Sequence, residues 1–205
     1  MELSLQQFQA MLALAFDNIK AREDEFSKLD AIAGDGDHGT AIVTAMNVLV
    51  EESKTAVDFP SMFSDMGMGV MMQTSGSTST LLGAFFMGMG EDISGASLDV
   101  ESVKKMFDGG LKGVQEQTKA KVGDKTMMDA LIPAVEAIVK SESPDIKVVL
   151  TAGAEAAMAG LEATIDMKAN FGRARNLGDR SIGYPDAGAT SWASMFVSFA
   201  EGYKN

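Results

Sequence analysis

The residues of this chain that are best suited to chemistry lie in one acidic segment, Leu29–Thr40. It reads L-D-A-I-A-G-D-G-D-H-G-T and contains Asp30, Asp35, Asp37 and the single histidine of the chain, His38. Three carboxylates on one glycine-rich turn repel one another, and a divalent cation between them would relieve that repulsion. Oxygen ligands favour a hard ion such as Mg²⁺, which keeps open positions that phosphate oxygens can fill. The segment therefore predicts a metal site.

Three familiar motifs lie close to these letters, and each fails at a stated residue. Gly34, Gly36 and Gly39 match the spacing of a dinucleotide-binding loop, but acidic residues stand between them and no buried strand precedes them. A calcium-binding loop that starts at Asp35 requires a glutamate where Met46 stands. A Walker loop requires a Gly-Lys pair, which the sequence lacks. A turn that only caps a helix is the remaining alternative.

Length and composition indicate one soluble domain over residues 1–205. Hydrophobic residues make up 46% of the chain and charged residues 22%, and we expect no apolar run long enough to cross a membrane. The net charge of −12 argues against binding to nucleic acid, because phosphates would be repelled. The chain has no cysteine, and its first residues lack the pattern of a secretory signal. We therefore expect a cytoplasmic protein without a membrane or nucleic-acid partner.

Apolar residues recur at three- and four-residue steps over most of the chain, which predicts an all-α fold of about eight helices. Strand signals are weak, and the valines of Lys147–Thr151 lie in a helical context. Thr126 and Asp129 form a capping-box variant before one helix. The predicted helices are Leu5 to about Arg22, one that starts near His38 or Gly39 and continues through Val50, one opened by Asp58 and Pro60, and Leu81–Met89, Asp99–Lys119, Met127–Lys140, Asp145–Met167 and Ala189–Tyr203.

Four connections between these helices carry residues suited to phosphate, and we expect them to converge. In an antiparallel bundle every second loop lies at the same end. Three of the four arginines fall within Arg173–Arg180, which suggests an anion clamp because guanidinium groups pair with phosphate oxygens. Metal ligands, hydroxyls and cations together suit a Mg²⁺-bound nucleotide. The four segments are the acidic turn, Thr74–Thr80, Gly123–Thr126 and Asn170–Gly188.

Three motifs in order give the chain a family resemblance. They are G-D-G-D-H-G at Gly34–Gly39 with Asp30 upstream, G-D-K-T-M at Gly123–Met127, and G-R-A-x-x-L-G-x-R-S-I-G-x-x-D-x-G-A-x-S at Gly172–Ser191. Over nearly its whole length the chain resembles the nucleotide-binding L subunit of dihydroxyacetone kinase. The resemblance implies an eight-helix antiparallel up-and-down barrel with a nucleotide site at one end.

The resemblance also implies a role for individual residues. The chain departs from the family pattern at Ser75–Ser79, where Gly-Gly-x-Ser-Gly is usual, and at Ala187, where proline is usual. The implied set is Asp30, Asp35 and Asp37 as catalytic ligands of two Mg²⁺ ions; His38, Gly39, Thr40 and Ala41 on the nucleotide; Thr78 and Ser79 on phosphate oxygens; Gly123 and Met127 near the adenine or ribose; and Arg173, Asp186, Ala187 and Gly188 closing the pocket.

The function that the resemblance implies is that of a phosphotransferase subunit. It would bind ADP or ATP with Mg²⁺ and pass the phosphoryl group to dihydroxyacetone, or a close short-chain ketose, held covalently by a partner K subunit. A phosphoryl-donor subunit of a phosphotransferase system and a transcription regulator are further implied partners. The alternative is a non-catalytic subunit that senses nucleotide or metal. A Mg²⁺-dependent phosphohydrolase is a third reading, but Gly39 stands where its motif requires threonine.

Overall fold

A computed structural model describes residues 2–204, and most of that range is helical. A two-residue antiparallel ladder pairs β1 with β2, with Leu3 opposite Leu98. Two 3₁₀ segments, Thr164–Asp166 and Arg173–Ser181, lie between the last two α-helices. The elements are β1 (Leu3–Ser4), α1 (Leu5–Ala21), α2 (Glu23–Asp30), α3 (His38–Ser53), α4 (Phe59–Gln73), α5 (Ser77–Met89), β2 (Ser97–Leu98), α6 (Val100–Gln117), α7 (Met128–Lys140), α8 (Ile146–Ala163) and α9 (Ala187–Gly202).

Eight of the α-helices form a closed ring in chain order. From α3 onward each helix packs against the one that follows it, and α1 joins the two ends of the series by contacting both α3 and α9. The short helix α2 continues from α1 after a break at Arg22 and packs against α3 and α9. This arrangement confirms the predicted all-α, eight-helix up-and-down barrel.

Aspartate side chains fix where several helices begin. Asp58, Asp99, Asp145 and Asp186 each precede a helix and accept a hydrogen bond from a backbone N–H of its first turn. Such caps satisfy donors that have no acceptor within the helix. Because the capping residues are visible in the sequence, the starts of α4, α6, α8 and α9 lie within two residues of their predicted positions.

Aromatic side chains fill the inside of the ring. Phe85 is fully buried and packs edge-on against Phe86 and Trp192, with ring centroids 5.5 Å and 5.1 Å apart. Phe8 makes a similar edge contact with Phe63, at 5.1 Å. Edge-to-face pairs add to the stabilisation from burial alone. This core leaves the end of the barrel, rather than its centre, for a ligand.

Four local features differ from the sequence predictions. Helix α2 was not predicted, because only two of its eight residues are strongly apolar. Helix α5 starts at Ser77, four residues before the predicted Leu81. The connection that precedes α9 contains the 3₁₀ segment Arg173–Ser181, with a break at Gly178. The structure also contains the short ladder of β1 and β2, where strand signals in the sequence are weak.

The segment Ile146–Asp166 corrects the expectation that no run is long enough to span a bilayer. By length and composition alone it is both long and apolar enough. Its many alanines raise the mean hydropathy, while Lys147, Glu155 and Glu162 interrupt the apolar surface. Val149, Leu150 and Leu161 are buried against the barrel, where α8 packs on α7 and α9. A helix in the core of a bundle has this same composition.

Candidate functional site

The four predicted segments meet at one end of the barrel around a cavity of about 290 Å³. A smaller cavity of about 170 Å³ adjoins it and reaches Trp192. The meeting confirms the predicted convergence of alternate loops. The walls of the larger cavity are Leu29–Asp30, Ile32–Asp35 and Asp37–His38 from the acidic segment; Ser77–Thr78 from α5; Lys125–Thr126; and Phe171–Ala174, Leu177, Ser181 and Tyr184–Ala187 from the segment before α9.

Asp30, Asp35 and Asp37 form the acidic cluster on the rim of this cavity. Each offers a carboxylate oxygen, and these three oxygens lie within 4.8 Å of one another. Asp30 ends α2, and its Oδ2 accepts a hydrogen bond of 2.9 Å from the N–H of Gly36. A Cβ at Gly34 would stand 2.7 Å from Asp30 Oδ1, so a larger residue there would force that carboxylate to move. The local sequence thus builds the cluster.

The charges of the acidic cluster act on one another. A hydrogen bond from Arg173 lowers the pKa of Asp35, and the two side chains form an ion pair of 2.5 Å. Loss of hydration raises the pKa of Asp37, and the nearby charge of Asp35 raises it further. The repulsion predicted from the sequence is therefore present, and the Arg173 guanidinium relieves part of it.

His38 opens α3 beneath the acidic cluster and is largely buried. Its Nδ1 lies 3.1 Å from the hydroxyl of Thr78, and its Nε2 lies 2.9 Å from the hydroxyl of Ser191. Burial lowers the pKa of the imidazole, although the charges of Asp30 and Asp37 oppose this shift. The ring is therefore neutral near pH 7 and is held from both sides.

The start of α5 presents backbone groups rather than most of its hydroxyls. Gly76 caps the helix without a side-chain hydrogen bond, so the N–H groups of the first turn remain open to an anion. Ser79 is buried and donates its hydroxyl to the carbonyl of Ser75, and Thr80 donates to Gly76. Ser77 faces both cavities, and its hydroxyl has no protein partner among residues 2–204.

A second group of residues lies deeper, and its polar side chains bond to backbone groups of the protein; we call Lys125, Asp129, Thr164 and Asp186 the buried lysine network. Lys125 Nζ donates to the carbonyls of Thr164 and Tyr184, at 2.7 Å and 2.6 Å, and to that of Met167 at 3.3 Å. Burial lowers the pKa of this amine, against the charges of Asp186 and Asp129. The ammonium group therefore fastens the segment before α9 to the cavity wall.

The two aspartates of the buried lysine network hold backbone turns. Asp129 accepts hydrogen bonds from the N–H groups of Gly123 and Thr126, at 2.6 Å and 2.7 Å. The Thr126 hydroxyl accepts from the N–H of Met128 rather than from that of Asp129, and Met127 is the residue that precedes α7, so only the Asp129 half of the predicted capping-box variant is present. Asp186 accepts from the N–H of Ala189 at 2.8 Å, and burial raises the pKa of its carboxyl to about 6.

Other residues from the sequence prediction lie at various distances from the cavity. Met127 and Gly188 line the smaller cavity, while Asp186 and Ala187 line both. Thr40 is exposed and donates its hydroxyl to Glu23. Neither cavity is lined by Gly39, Thr40, Ala41, Ser79 or Gly123.

Gly39 and Gly123 do not line the cavities but affect the backbone that forms their walls. A Cβ at Gly39 would stand 2.1 Å from the carbonyl oxygen of Glu23, so glycine lets α3 approach α2 closely. Gly123 has φ of 95° and bonds both to Asp129, through its N–H, and to Asn170, through its carbonyl. Their effect on a ligand would be through the backbone.

Only one arginine of the predicted anion clamp reaches the cavity. Arg173 lines it, whereas Arg175 and Arg180, which are also exposed, do not. The break at Gly178 turns the chain within the 3₁₀ segment and separates Arg180 from Arg173. The clustering of arginines in sequence therefore overstated their clustering in space.

Three residues at the site were not among the individual site residues predicted from the sequence: Ser77, which lies within the predicted Thr74–Thr80 segment, Asp129, which was predicted only as a helix cap, and Ser191. Asp129 follows the G-D-K-T-M motif and Ser191 ends the last motif, so a signal was present for both. The partners of Asp129 are local, since Gly123 and Thr126 lie six and three residues before it. Ser191 and His38 are 153 residues apart, and sequence spacing alone gives no way to pair them.

The sequence matches the model of a known family. The model of the DAK2 domain matches residues 32–201. This chain belongs to the DAK2-domain family. The matched range of the DAK2 domain includes Asp35, Asp37, His38 and the segment before α9, and Asp30 lies two residues ahead of it.

Relatives within the family extend over almost the whole chain. The chain is 34% identical to the ADP-binding subunit DhaL of the PEP-dependent dihydroxyacetone kinase of Escherichia coli, over 98% of both chains. It is 31% identical to the ADP-binding subunit DhaL of PEP-dependent dihydroxyacetone kinase 1 of Listeria innocua, over 88% of this chain and 87% of the relative. These values confirm the resemblance to the L subunits.

A solved structure shares the DAK2-domain architecture. The dihydroxyacetone kinase from C. freundii, in complex with AMP-PNP and Mg²⁺, superposes with a TM-score of 0.69 at 26% identity. The match covers 94% of this chain and 33% of that one, so the present chain spans about a third of the larger kinase.

Proposed function

We propose that this chain is the nucleotide-binding subunit of a dihydroxyacetone kinase. It binds ADP or ATP with Mg²⁺ and passes a phosphoryl group to dihydroxyacetone, or to a close short-chain ketose, held covalently by a partner K subunit. The observation that carries the proposal is the acidic cluster, whose three carboxylates lie together on the rim of the cavity. The names of the E. coli and L. innocua relatives support ADP as the nucleotide.

The acidic cluster fits the metal that the proposal requires. Two ligands on opposite sides of a Mg²⁺ ion lie about 4.2 Å apart, which is close to the spacing of these oxygens. Asp30, Asp35 and Asp37 would hold two Mg²⁺ ions as shared ligands. Mg²⁺ bound there supplies the positive charge that offsets negative charge on the phosphate oxygens during transfer.

The protein offers three kinds of group to the nucleotide. The open N–H groups at the start of α5 and the hydroxyl of Ser77 suit phosphate oxygens. Arg173 suits a phosphate as well, once a metal replaces it beside Asp35. His38, Met127 and the Asp186–Gly188 turn would border the rest of the nucleotide, since they line the two cavities. Gly39, Thr40, Ala41, Thr78, Ser79 and Gly123 belong to the same proposed site.

The exposure of the acidic cluster supports a partner as the source of the acceptor. About half of the Asp35 side chain and two thirds of the Arg173 side chain are exposed, at 53% and 66%. A phosphoryl group held there would be open to a second protein. We infer that the K subunit covers this rim and excludes water when it brings the ketose.

The wider setting follows from the same proposal. The E. coli relative is named as part of a PEP-dependent kinase, which supports a phosphotransferase-system subunit as the donor that recharges bound ADP. A transcription regulator that contacts the same rim is a further proposed partner. We place the whole chain, residues 1–205, as one domain in the cytoplasm, where such a donor and K subunit would be found.

Binding of Mg²⁺ and ADP tests the first half of the proposal. Calorimetry should show ADP binding that requires Mg²⁺ and that Asp35→Ala abolishes. Asp92→Ala is the matched control, because Asp92 is an exposed aspartate that follows α5 at its other end. Equal affinity in Asp35→Ala and in the unchanged chain would overturn the assignment of the acidic cluster.

Transfer tests the second half. The chain mixed with a K subunit, a phosphoryl donor and dihydroxyacetone should form dihydroxyacetone phosphate, and Asp35→Ala should not. Binding of Mg²⁺ and ADP without product would instead support the nucleotide-sensing alternative. Release of phosphate from small esters by the chain alone would support a phosphohydrolase.

A further inference from the structure

A chain of hydrogen bonds links three helices directly beneath the acidic cluster. Ser191 of α9, His38 of α3 and Thr78 of α5 follow one another at 2.9 Å and 3.1 Å. Ser191 is fully buried, His38 is 9% exposed, and Thr78 faces both cavities. These hydrogen bonds therefore run from the protein interior to the wall of the site.

The hydrogen atoms in this series of hydrogen bonds can be arranged in two directions. A neutral imidazole carries one N–H, either on Nε2 or on Nδ1. In one arrangement Nε2–H donates to Ser191 and the hydroxyl of Thr78 donates to Nδ1. In the other, Ser191 donates to Nε2, Nδ1–H donates to Thr78, and the Thr78 hydroxyl is free to donate into the cavity.

A third contact selects between these arrangements. The Ser191 hydroxyl lies 3.0 Å from the carbonyl oxygen of Gly188, to which it can only donate. A hydroxyl has one hydrogen, so a Ser191 that donates to Gly188 must accept from His38. We infer that Ser191 is a positioning residue that holds His38 in its Nε2–H form, so that the Thr78 hydroxyl donates to Nδ1 and faces the cavity as an acceptor.

This direction changes what Thr78 does at the site; that consequence, unlike the state of His38, rests on the proposed function. A phosphate oxygen that carries no hydrogen meets only lone pairs on Thr78, which is unfavourable. Thr78 would therefore contact phosphate through its backbone N–H, while its hydroxyl would accept a hydrogen bond from an O–H group of the ligand. The backbone groups of α5 and Ser77 are left as the phosphate donors.

The single histidine makes the arrangement directly measurable. Because the protein has one histidine, it gives one set of imidazole signals, and long-range ¹H–¹⁵N correlation spectra show which ring nitrogen carries hydrogen. The measurement uses the ligand-free, ¹⁵N-labelled full chain at one neutral pH. It therefore does not depend on whether the chain binds ADP or transfers phosphate, so its failure and that of the proposed function are distinct.

Two substitutions should have opposite consequences. In Ser191→Ala the Nε2–H loses the Ser191 oxygen as an acceptor, so the fraction of molecules with the hydrogen on Nδ1 should rise. In Thr78→Val the bond to Ser191 remains, so the Nε2–H form should persist. Ser194→Ala, a buried serine on the same helix, controls for loss of a hydroxyl in α9 and should leave the spectrum unchanged.

The spectrum of the unchanged chain is decisive even if a variant fails to fold. An Nδ1–H form in that spectrum would overturn the inference. An Nε2–H form that persists in folded Ser191→Ala, or a shift to Nδ1–H in Thr78→Val, would also overturn the positioning role of Ser191. The Nε2–H form in the unchanged chain, with a shift in Ser191→Ala alone, is the result that the structure predicts.

Discussion

The acidic cluster and the buried lysine network lie at the same end of the barrel and contain three and two aspartates, yet they differ in how the charges of these aspartates are satisfied. Asp35 and Asp37 are exposed, and among their protein partners Arg173 is the cation. Asp129, by contrast, is 1% exposed and accepts two backbone N–H groups. The carboxylate of Asp129 has its hydrogen bonds supplied by the protein, whereas the carboxylates of the acidic cluster remain accessible to an external ligand.

This difference separates a group that maintains the fold from one that binds a ligand. Buried polar groups need their hydrogen bonds to be complete, because an unpaired one costs free energy. Exposed carboxylates that repel one another contribute little to stability and are available to an external cation. Substitutions in the two groups should therefore affect different measurements: unfolding for the buried lysine network, and ligand binding for the acidic cluster.

The largest effect is expected at Lys125. Lys125→Met keeps the length of the side chain but leaves three carbonyls without their donor, so the free energy of unfolding should fall by about 3–5 kcal/mol. Lys125 also has a left-handed backbone, with φ of 58°, which the ammonium bonds help to maintain. Chemical denaturation of the ligand-free chain measures the change. Lys121→Met, at an exposed position in the same loop, should have almost no effect, and equal loss in both variants would contradict the role of the network.

The second largest effect concerns pH and Asp186. Its carboxyl has a pKa of about 6 in the folded chain, against an ordinary value of 3.8. Between these values the unfolded chain loses the proton while the folded chain keeps it, so stability falls as pH rises. The loss should approach about 3 kcal/mol at pH 7.

Asp186→Asn isolates this contribution, because asparagine can still accept the N–H of Ala189 but does not titrate. The difference in unfolding free energy between the unchanged chain and Asp186→Asn should shift by that amount, in favour of the variant, between pH 4 and pH 7. A difference that stays constant over this range would contradict the burial of the Asp186 carboxyl.

The third prediction concerns the acidic cluster. Asp37→Asn should weaken Mg²⁺-dependent binding of ADP at least a hundredfold, or about 2.7 kcal/mol. It should not destabilise the ligand-free chain, since the repulsion between Asp35 and Asp37 is removed. Calorimetry and thermal unfolding provide the two measurements. Asp24→Asn, at an exposed position of α2, is the control. A large loss of stability in Asp37→Asn without loss of ADP binding would contradict the assignment of the acidic cluster to ligand binding.

The smallest effect is expected at Arg173. Arg173→Lys keeps the charge but loses the planar pair of donors, so affinity for ADP with Mg²⁺ should fall by about three- to tenfold. Arg175→Lys should leave affinity unchanged, because Arg175 does not line the cavity. Equal losses in both variants would mean that the whole arginine segment contacts the nucleotide.

Much of the fold could be predicted from local signals. Capping aspartates and apolar steps mark helix starts in the sequence, and these starts depend on residues only a few positions apart. Helix α2 was not predicted because its stability comes from packing against α3 and α9 rather than from a regular pattern of apolar residues in its own sequence. The early start of α5 escaped because serine, threonine and glycine suit both a loop and a first turn.

The candidate site was predictable in its chemistry but not in its pairings. The cluster of three aspartates could be predicted, because their close spacing in sequence keeps them close together in the structure. The serine and threonine hydroxyls in the first turn of α5 gave a misleading signal, since Ser79 and Thr80 donate theirs to backbone carbonyls one turn earlier. The partners of Lys125 and Ser191 come from distant segments, which only the closed ring brings together.

The most direct test of the central claim is a crystal structure of the chain grown with ADP and Mn²⁺ in place of Mg²⁺. Mn²⁺ scatters X-rays anomalously and accepts the same oxygen ligands. The account predicts anomalous peaks between the carboxylates of Asp30, Asp35 and Asp37 and the phosphates of ADP. Bound ADP with no peak at these carboxylates, and with all three facing solvent, would contradict it.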